Sequence, residues 1–236
     1  MSNRPARRAR SQSGRRPAPS QSNKKLWMWI VAGVLVVAAV LLIAIVSTSG
    51  SDDKVSEGTV GTGNSSSPAE TQPVTVLGDA LPTPPDSGAD TAIGLTAPTL
   101  QGFSFDGTPI DITPGGGRAK MVVFLAHWCP HCNKEIPVLQ AWAASRGVPD
   151  GLDIVGVSTA VSNQRDNYPP SQWIVNKNWT WPIMADSAKG DAAIAYGVAG
   201  FPTFTIVGAD GKVKLRSSGE LSIDELSALV SQALAG

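Results

Sequence analysis

The only two cysteines of the 236-residue chain lie three positions apart, in the run Trp128-Cys129-Pro130-His131-Cys132. Two thiols at this spacing on one turn of a helix can close a small disulfide ring. One sulfur can then attack a disulfide while the other resolves the mixed disulfide that forms. The residue types therefore indicate thiol–disulfide exchange, with Cys129 as the nucleophile and Cys132 as the resolving thiol.

The segments around the cysteines predict how they are positioned. Residues 121–125 are apolar and partly β-branched, which favours a buried strand, and residues 133–136 begin a helix. Cys129 then lies at a helix N-terminus, where free N–H groups and the helix dipole stabilise a thiolate. Pro130 suits the first helical turn. His131 can add positive charge or a donor beside the sulfur.

Other uses of two such cysteines are possible. A zinc site needs two further ligands, and helix geometry would not easily aim both histidines, His127 and His131, at one metal. Haem attachment needs a histidine directly after the second cysteine, where this chain has Asn133. A copper-carrying variant stays open as an alternative. So does a structural disulfide without chemistry, although so short a loop adds little stability.

The charges divide the chain into unequal parts. The formal net charge is zero, with 19 basic and 19 acidic residues. Residues 1–25 hold eight Arg and Lys and no acid, so we predict a disordered, basic cytoplasmic tail. Residues 93–236 are slightly acidic and show no basic face of the kind that nucleic-acid binding requires. We therefore expect no nucleic-acid partner.

Residues 26–46 form an uncharged stretch that predicts a transmembrane anchor. A helix of this length spans about 30 Å, the thickness of the hydrocarbon core. Trp27 and Trp29 lie at its basic end, where indoles favour the interface. The basic flank predicts a cytoplasmic N-terminus, so we expect a single-pass protein of the cell membrane with an extracytoplasmic C-terminal domain. A cleaved signal peptide is the alternative.

Composition predicts two further segments. Gly, Ser, Thr, Pro and acidic residues dominate 47–92, which favours a disordered linker. From residue 93 to 236 the composition is that of a globular α/β domain. Its predicted order of strand, helix, strand, helices, hairpin and helix gives a central mixed sheet with helices on both faces. We predict strands within 103–112 (two, around Asp106-Gly107), 121–125, 152–157, 181–184, 203–207 and 212–216, and helices from 133, 170, 191 and 222.

The last helix carries the clearest marks. Ser222 and Glu225 form a capping box. An apolar stripe at helical spacing follows and predicts the face that packs on the core. Its members are Ile223, Leu226, Leu229, Val230 and Leu234.

Four features together resemble the thioredoxin superfamily. They are the Trp-Cys-Pro-His-Cys run after an apolar strand, Pro137 inside the next helix, residues 200–203 (Gly-Phe-Pro-Thr) before a hairpin, and a terminal amphipathic helix. The resemblance covers about residues 93–236. An N-terminal β-hairpin extension and a helical insert before Pro202 are similar to the membrane-anchored TlpA/ResA-like redoxins, and the Pro-His dipeptide is similar to that of DsbA-like proteins.

The resemblance implies a thioredoxin fold and a set of site residues. Pro202 would be a cis-proline facing the sulfurs, and Phe201 would pair with an extended substrate segment. Trp128, Phe201 and Pro202 would contact the substrate. Cys129 and Cys132 would be catalytic, assisted by Pro130 and His131. The redox-active disulfide would be the only redox group, with no cofactor and no metal. Three further indoles would either line the same cleft or pack in the core: Trp173, Trp179 and Trp181.

One position departs from the resemblance. Typical thioredoxins have a buried aspartate six positions before the first cysteine, and this chain has Val123 there. This departure puts efficient reduction in doubt, because the aspartate relays protons to the second sulfur. On sequence grounds, Asp153 and Glu135 are poor replacements.

We therefore expect an extracytoplasmic, membrane-anchored thiol–disulfide oxidoreductase that exchanges disulfides with exported cysteine-containing proteins. A thiolate stabilised by His131 and the helix end makes the disulfide a better oxidant, which favours an oxidase or isomerase. Many anchored relatives are instead reductases that support cytochrome c maturation. Either direction requires a membrane redox partner, a quinone-linked oxidase or an electron donor. A tethered metal-carrying or binding module is the non-enzymatic alternative.

Overall fold

A computed structural model describes residues 69–235. The predicted basic tail 1–25 and the predicted anchor 26–46 lie outside this range. None of the helices within 69–235 has the length and apolar character needed to cross a membrane. The elements of this range are β1 (Thr75–Leu77), β2 (Thr99–Phe103), β3 (Pro109–Ile112), β4 (Ala119–Leu125), α1 (Pro130–Arg146), β5 (Leu152–Ser158), α2 (Pro170–Asn176), β6 (Ile183–Ala185), α3 (Asp191–Ala195), β7 (Thr203–Val207), β8 (Val213–Ser218) and α4 (Ile223–Ala235).

The strands form one mixed sheet in the order β1-β2-β6-β5-β4-β7-β8, with β3 paired to β2. β4 pairs in parallel with β5 and antiparallel with β7. α1, α2 and α4 contribute buried side chains to one face of the sheet, and α3 contributes to the other. The predicted mixed sheet with helices on both faces is confirmed.

The central strand β4 is covered on both faces, which explains why residues 121–125 are continuously apolar. Met121, Val123 and Leu125 belong to the core under α1 and α4. Val122 and Phe124 belong to the core on the α3 side. Successive side chains of a strand point to opposite faces, and here both faces are covered. Neither face therefore tolerates polar residues, which removes the alternation seen in half-exposed strands.

The hairpin predicted within 103–112 is displaced toward the N-terminus. β2 ends at Phe103, and the turn is closed by a hydrogen bond from Ser104 N to Thr108 O (2.8 Å). The Asp106 carboxylate accepts a second bond from Thr108 N. Phe105 leaves the strand alternation because its side chain is buried in the α1-side core. Tertiary burial of one turn residue thus shifts the strand ends.

The prediction of a disordered linker over 47–92 is wrong for residues 69–92, which pack on the domain. β1 pairs with β2, with Val76 opposite Leu100. Leu81 is buried beside α3 and donates its backbone N–H to Ala195 O (2.8 Å). Ala92 is fully buried. A few apolar residues in a Pro- and Gly-rich segment hold it by long-range contacts that composition does not report.

The C-terminal helix begins as predicted. Ser222 N donates to the Glu225 carboxylate (2.7 Å), and Glu225 N donates to Ser222 Oγ (3.2 Å), which forms the capping box. Leu226, Leu229 and Val230 are buried. The predicted stripe is wrong at its end: Leu234 is exposed and Ala233 is buried in its place, since Ala233 is seven residues, about two turns, after Leu226.

One buried ion pair ties the N-terminal segment to the sheet. The Arg216 side chain, on β8, is only 2% exposed and is bonded to both carboxylate oxygens of Asp90. Arg216 Nη1 also donates to Tyr196 O (3.0 Å) at the end of α3. The Arg216 guanidinium holds the pKa of Asp90 below its ordinary value. The pair therefore links three segments that are distant in the chain.

Replacing Asp90 tests this link. Asp90→Ala leaves the buried Arg216 charge unpaired, so we expect the free energy of unfolding to fall by about 3 kcal/mol. Asp224→Ala is the matched control, because its pair with Arg146 is exposed at 57% and 86% and should matter little. Urea unfolding of both full-length variants measures the difference. Equal losses would show that Asp90 contributes no more than a surface carboxylate.

Candidate active site

The junction of β4 and α1 positions the two thiols. β4 ends at Leu125, and Cys129 is the N-cap of α1 with extended backbone angles (φ −75°, ψ 119°). Pro130 occupies the first helical position, where its missing N–H leaves no partner unsatisfied. The helix continues past Pro137 to Arg146. The predicted handover from strand to helix at Cys129 is confirmed.

The structure brings Cys129 to the loop before β7. Both cysteines are free thiols; Cys129 is 5% exposed and Cys132 is fully buried. The Cys129 thiol donates a hydrogen bond to Phe201 O (Sγ to O 3.4 Å). The Phe201–Pro202 bond is cis, as the resemblance implied. The predicted nucleophile and the predicted substrate-binding loop are therefore in direct contact.

Cys132 lies behind Cys129 and has a different electrostatic environment. Burial raises the pKa of the Cys132 thiol well above its ordinary value, and hydrogen bonding to Cys129 acts in the same direction. A hydrogen bond with the Ala126 backbone opposes the shift. The negative charge of Glu135 adds to it. Cys132 is thus held as a neutral thiol within reach of Cys129.

Glu135 is the residue that sequence reasoning misjudged. The sequence analysis considered it a poor substitute for the missing aspartate, but its side chain is 1% exposed and interacts electrostatically with Cys132. Oε2 accepts a bond from Leu221 N (2.9 Å), while Oε1 has no hydrogen-bond partner within residues 69–235. Burial raises the pKa of Glu135 to about 7. Its position three residues after Cys132, on the same helix face, was the available signal.

Asp153, the other residue considered as a substitute, lies elsewhere. It is at the start of β5 and accepts hydrogen bonds from Arg118 (2.7 Å to Nη2). Arg118 lowers the pKa of the Asp153 carboxyl. Val123, at the position of the missing aspartate, is fully buried among apolar side chains.

His131 is directed toward an acidic partner. Its Nδ1 lies 2.6 Å from Glu220 Oε1, and Lys134 Nζ donates to the same oxygen (3.2 Å). His131 is exposed, one residue from the buried Cys132. The hydrogen bond with His131 is the main cause that lowers the pKa of Glu220. The sequence analysis did not identify Glu220, because it is 89 residues away in the chain.

Asn133 connects the site to the insert. Its Nδ2 donates to Cys129 O (2.9 Å) and to His127 O (3.2 Å). Its Oδ1 accepts the indole N–H of Trp173 (2.9 Å). Trp173 therefore lies near the site although it is buried in the core. Trp179 and Trp181 instead meet edge to face, with ring centroids 4.9 Å apart, and pack against the core.

His127 is buried and has both ring nitrogens bonded to backbone. Nδ1 lies 2.7 Å from Asp166 O and Nε2 lies 3.2 Å from Ser162 N. Since Ser162 N is a donor, the proton of the neutral ring is on Nδ1. Burial lowers the pKa of His127. Across residues 69–235, no three His, Cys, Asp or Glu side chains are grouped as metal ligands.

Trp128 forms the outer wall of the site. Its indole N–H donates to Ala160 O (2.8 Å), which fixes the ring against the loop between β5 and α2. The ring meets Phe201 edge to face, with centroids 6.0 Å apart. Both rings are partly exposed, whereas Pro202 is buried. A half-exposed apolar surface therefore borders Cys129.

Comparison with known proteins gives the family. The AhpC/TSA family matches residues 93–216, more than half of the chain. The chain therefore belongs to the AhpC/TSA family, whose domain here has the thioredoxin-like fold. The match begins at the residue where the sequence analysis placed the start of the domain.

Individual relatives narrow the chemistry. The soluble secreted antigen MPT53 of Mycobacterium tuberculosis is 32% identical over 151 residues, 63% of this chain and 79% of that protein. Sporulation thiol-disulfide oxidoreductase A of Bacillus subtilis is 26% identical over 123 residues (52% and 72%). Thiol-disulfide oxidoreductase ResA of Bacillus thuringiensis is 24% identical over 134 residues (57% and 74%). The protein is a thiol–disulfide oxidoreductase, and its resemblance to the TlpA/ResA-like redoxins is confirmed.

The raised pKa of Glu135 predicts how stability depends on pH. Between about pH 4.5 and 7 the unfolded chain loses this proton before the folded chain does, so the stability contributed by the protonated carboxyl is lost as pH rises. Glu135→Gln removes this titration and keeps an acceptor for Leu221 N. We therefore expect its free energy of unfolding to fall less than that of the wild type between pH 5 and pH 8, measured on the reduced full-length protein.

Asp106→Asn is the control for this measurement. Hydrogen bonds from Thr108 lower the pKa of Asp106, so this carboxylate is ionised throughout the interval. The Asp106→Asn curve should run parallel to the wild-type curve. A Glu135→Gln curve that also runs parallel would contradict the raised pKa.

Proposed function

We propose that this protein is a membrane-anchored, extracytoplasmic enzyme that exchanges disulfides with exported cysteine-containing proteins through Cys129 and Cys132. The observation that carries the proposal is the asymmetry of the two thiols. Cys129 lies at the mouth of α1 in contact with Phe201 O, and Cys132 lies buried behind it. The names of the relatives support the same chemistry.

The proposed exchange proceeds in two steps. When the enzyme is oxidised, a client thiolate attacks Cys129 Sγ and breaks the Cys129–Cys132 bond, so Cys132 leaves as a thiolate. A second client thiolate then attacks the client sulfur and releases Cys129, which gives a client disulfide and a reduced enzyme. Two electrons pass to the enzyme, and a membrane redox partner must remove them. The reductive direction runs the same steps in reverse.

Glu135 supplies a proton site for the buried thiol. Cys132 must gain a proton after it leaves and lose it before it attacks, yet burial disfavours its thiolate. A carboxyl with a pKa of about 7 beside it exchanges protons near neutral pH. This supports reductase activity although Val123 occupies the position of the usual aspartate. We therefore keep reduction in support of cytochrome c maturation as the second candidate function.

The client would lie along the loop that precedes β7. Trp128 and Phe201 offer a half-exposed apolar surface beside Cys129. An extended client segment could pair with the backbone near Phe201 and Pro202, adding a strand at this point. Pro130 would fix the backbone at the start of α1, and His131 would help to stabilise the Cys129 thiolate. The Cys129–Cys132 pair would be the only redox group, without a cofactor.

The anchoring part of the proposal is supported by sequence alone. Residues 26–46 are uncharged and follow a basic segment, which favours a single-pass anchor with a cytoplasmic N-terminus. Residues 47–68 would link the anchor to the folded domain. Disulfide chemistry is sustained outside the cytoplasm.

Trapping tests the roles of the two cysteines. In Cys132→Ala the nucleophile remains but cannot be resolved, so we expect mixed disulfides with exported proteins to accumulate. Cys129→Ala keeps only the fully buried Cys132 and should trap almost nothing. Non-reducing electrophoresis followed by mass spectrometry of full-length protein isolated from cells measures the adducts. Equal trapping by the two variants would contradict the assignment of Cys129 as nucleophile.

The reduction potential tests the direction of electron flow. Thioredoxin, a reductant, has a reduction potential near −270 mV, and proteins that donate disulfides have less negative values. Oxidase or isomerase function therefore predicts a potential less negative than about −200 mV. His131→Ser should make the potential more negative if His131 favours the reduced form. Equilibration with glutathione gives both numbers. A wild-type potential at or below that of thioredoxin would instead favour the reductase.

A further inference from the structure

A cavity of about 430 Å³ opens beside the start of α1. Its lining consists of Trp128 and Pro130, around the start of α1, and of Gln164, Arg165 and Asp166, in the loop between β5 and α2. Pro130 directly follows Cys129, so the cavity adjoins the proposed nucleophile. Its outer wall belongs to the loop between β5 and α2, which contains none of the site residues predicted from the sequence.

Arg165 is the distinctive group of this wall. Its guanidinium carbon lies 3.8 Å from the centroid of the Trp128 ring, a cation–π contact. Arg165 is exposed, and no carboxylate pairs with its side chain within the part of the chain that the structure describes. A guanidinium stacked by its face keeps its N–H edge free, and that edge binds carboxylates with two parallel hydrogen bonds.

The loop holds Arg165 in place before any client arrives. On one side of Arg165, Ser162 N donates to His127 Nε2, and on the other side His127 Nδ1–H donates to Asp166 O. Asn167 Nδ2 donates to His127 O (3.0 Å). Arg165 is thus flanked by bonds to one buried ring. A group fixed in this way loses less conformational freedom on binding than a mobile one does.

The other charge on the cavity wall is the Asp166 carboxylate, which opposes an anion. Arg165 lies over the indole that directly precedes Cys129, whereas Asp166 uses its backbone carbonyl to bind His127 on the inner side of the loop. Arg165 therefore places a positive charge on the residue that directly precedes Cys129. Glu220, which lies between β8 and α4, already accepts bonds from His131 and Lys134.

We propose that Arg165, stacked on Trp128, forms a subsite for an acidic side chain next to the reacting cysteine of the client. This inference rests on the proposed function, since the client cysteine must reach Cys129 for its neighbour to reach Arg165. It assigns a substrate class to the site: cysteines flanked by Asp or Glu.

Peptide oxidation tests the subsite. The oxidised full-length protein is mixed with peptides that differ only in one residue beside cysteine, which is Glu, Gln or Lys, placed before the cysteine in one series and after it in another. Each rate constant is divided by that of the same peptide with a small-molecule disulfide, which corrects for the effect of the flanking charge on the peptide thiol. In at least one series we expect Glu to exceed Lys about fivefold at low salt, the size of a partly exposed ion pair. High salt should reduce the ratio.

Variants of the charged residues that line the cavity separate the effect of Arg165 from that of Asp166. Arg165→Gln should bring the Glu-to-Lys ratio close to one, Arg165→Lys should retain part of it, and Arg165→Glu should invert it. Asp166→Asn should raise the ratio, because it removes the opposing charge. Arg146→Gln is the matched control, since Arg146 is the last residue of α1, at the end far from Cys129. This variant should keep the wild-type ratio.

The outcomes distinguish the two proposals. If the wild type oxidises every peptide equally well, or if Arg165→Gln keeps the wild-type ratio, the subsite is wrong and the exchange function stands. If the wild type oxidises none of the peptides, both proposals fail.

Discussion

Burial of Cys132 and Glu135, on the inner side of the first two turns of α1, is the constraint on which the rest of the site depends. Both groups are ionisable, both are almost without solvent contact, and their charges repel one another. Burial disfavours the charged form of each group and so raises the pKa of both the thiol and the carboxyl. Each group therefore keeps its proton to a higher pH than it would in water. As a consequence, two protonated groups lie close to Cys129, the sulfur that would react with the client.

The elements around Cys132 and Glu135 exclude solvent from this pair. β4 lies in the middle of the sheet and buries both of its faces, and α1 packs with α4 above it. Leu221, just before α4, gives its N–H to Glu135. The terminal helix therefore does more than fill the core, because the segment that leads into it partly satisfies the buried carboxyl. At the opposite wall, Asn133 joins the backbone of Cys129 to Trp173 in the insert.

The features that were predicted correctly from the sequence are those that local residue patterns determine. The apolar run of β4, the helix that starts after Cys129, the capping box at Ser222 and the cis bond at Pro202 all follow from residue types or from a specific motif. The resemblance to thioredoxins predicted that Pro202 faces the sulfurs. These features are encoded within a few residues or in a motif shared by many proteins.

What the sequence did not predict depends on contacts between distant residues. Glu135 became part of the site through its burial under Leu221, and Glu220 reaches His131 across 89 positions. The order of residues 69–92 rests on Leu81, Asp90 and Ala92, which are scattered among prolines and glycines. Local composition describes only the average of such a segment, whereas a few buried side chains decide whether it folds.

The packing of residues 69–92 has a consequence for where this domain begins. The part that is recognisable across the family starts at residue 93, but β1, Leu81 and the partner of the buried Arg216 all precede it. A fragment cut at the family boundary would lose an edge strand and leave a buried cation uncompensated. The folded domain is therefore longer than the part that the family shares. The additional residues, 69–92, also connect the catalytic domain to the segments that precede it in the chain.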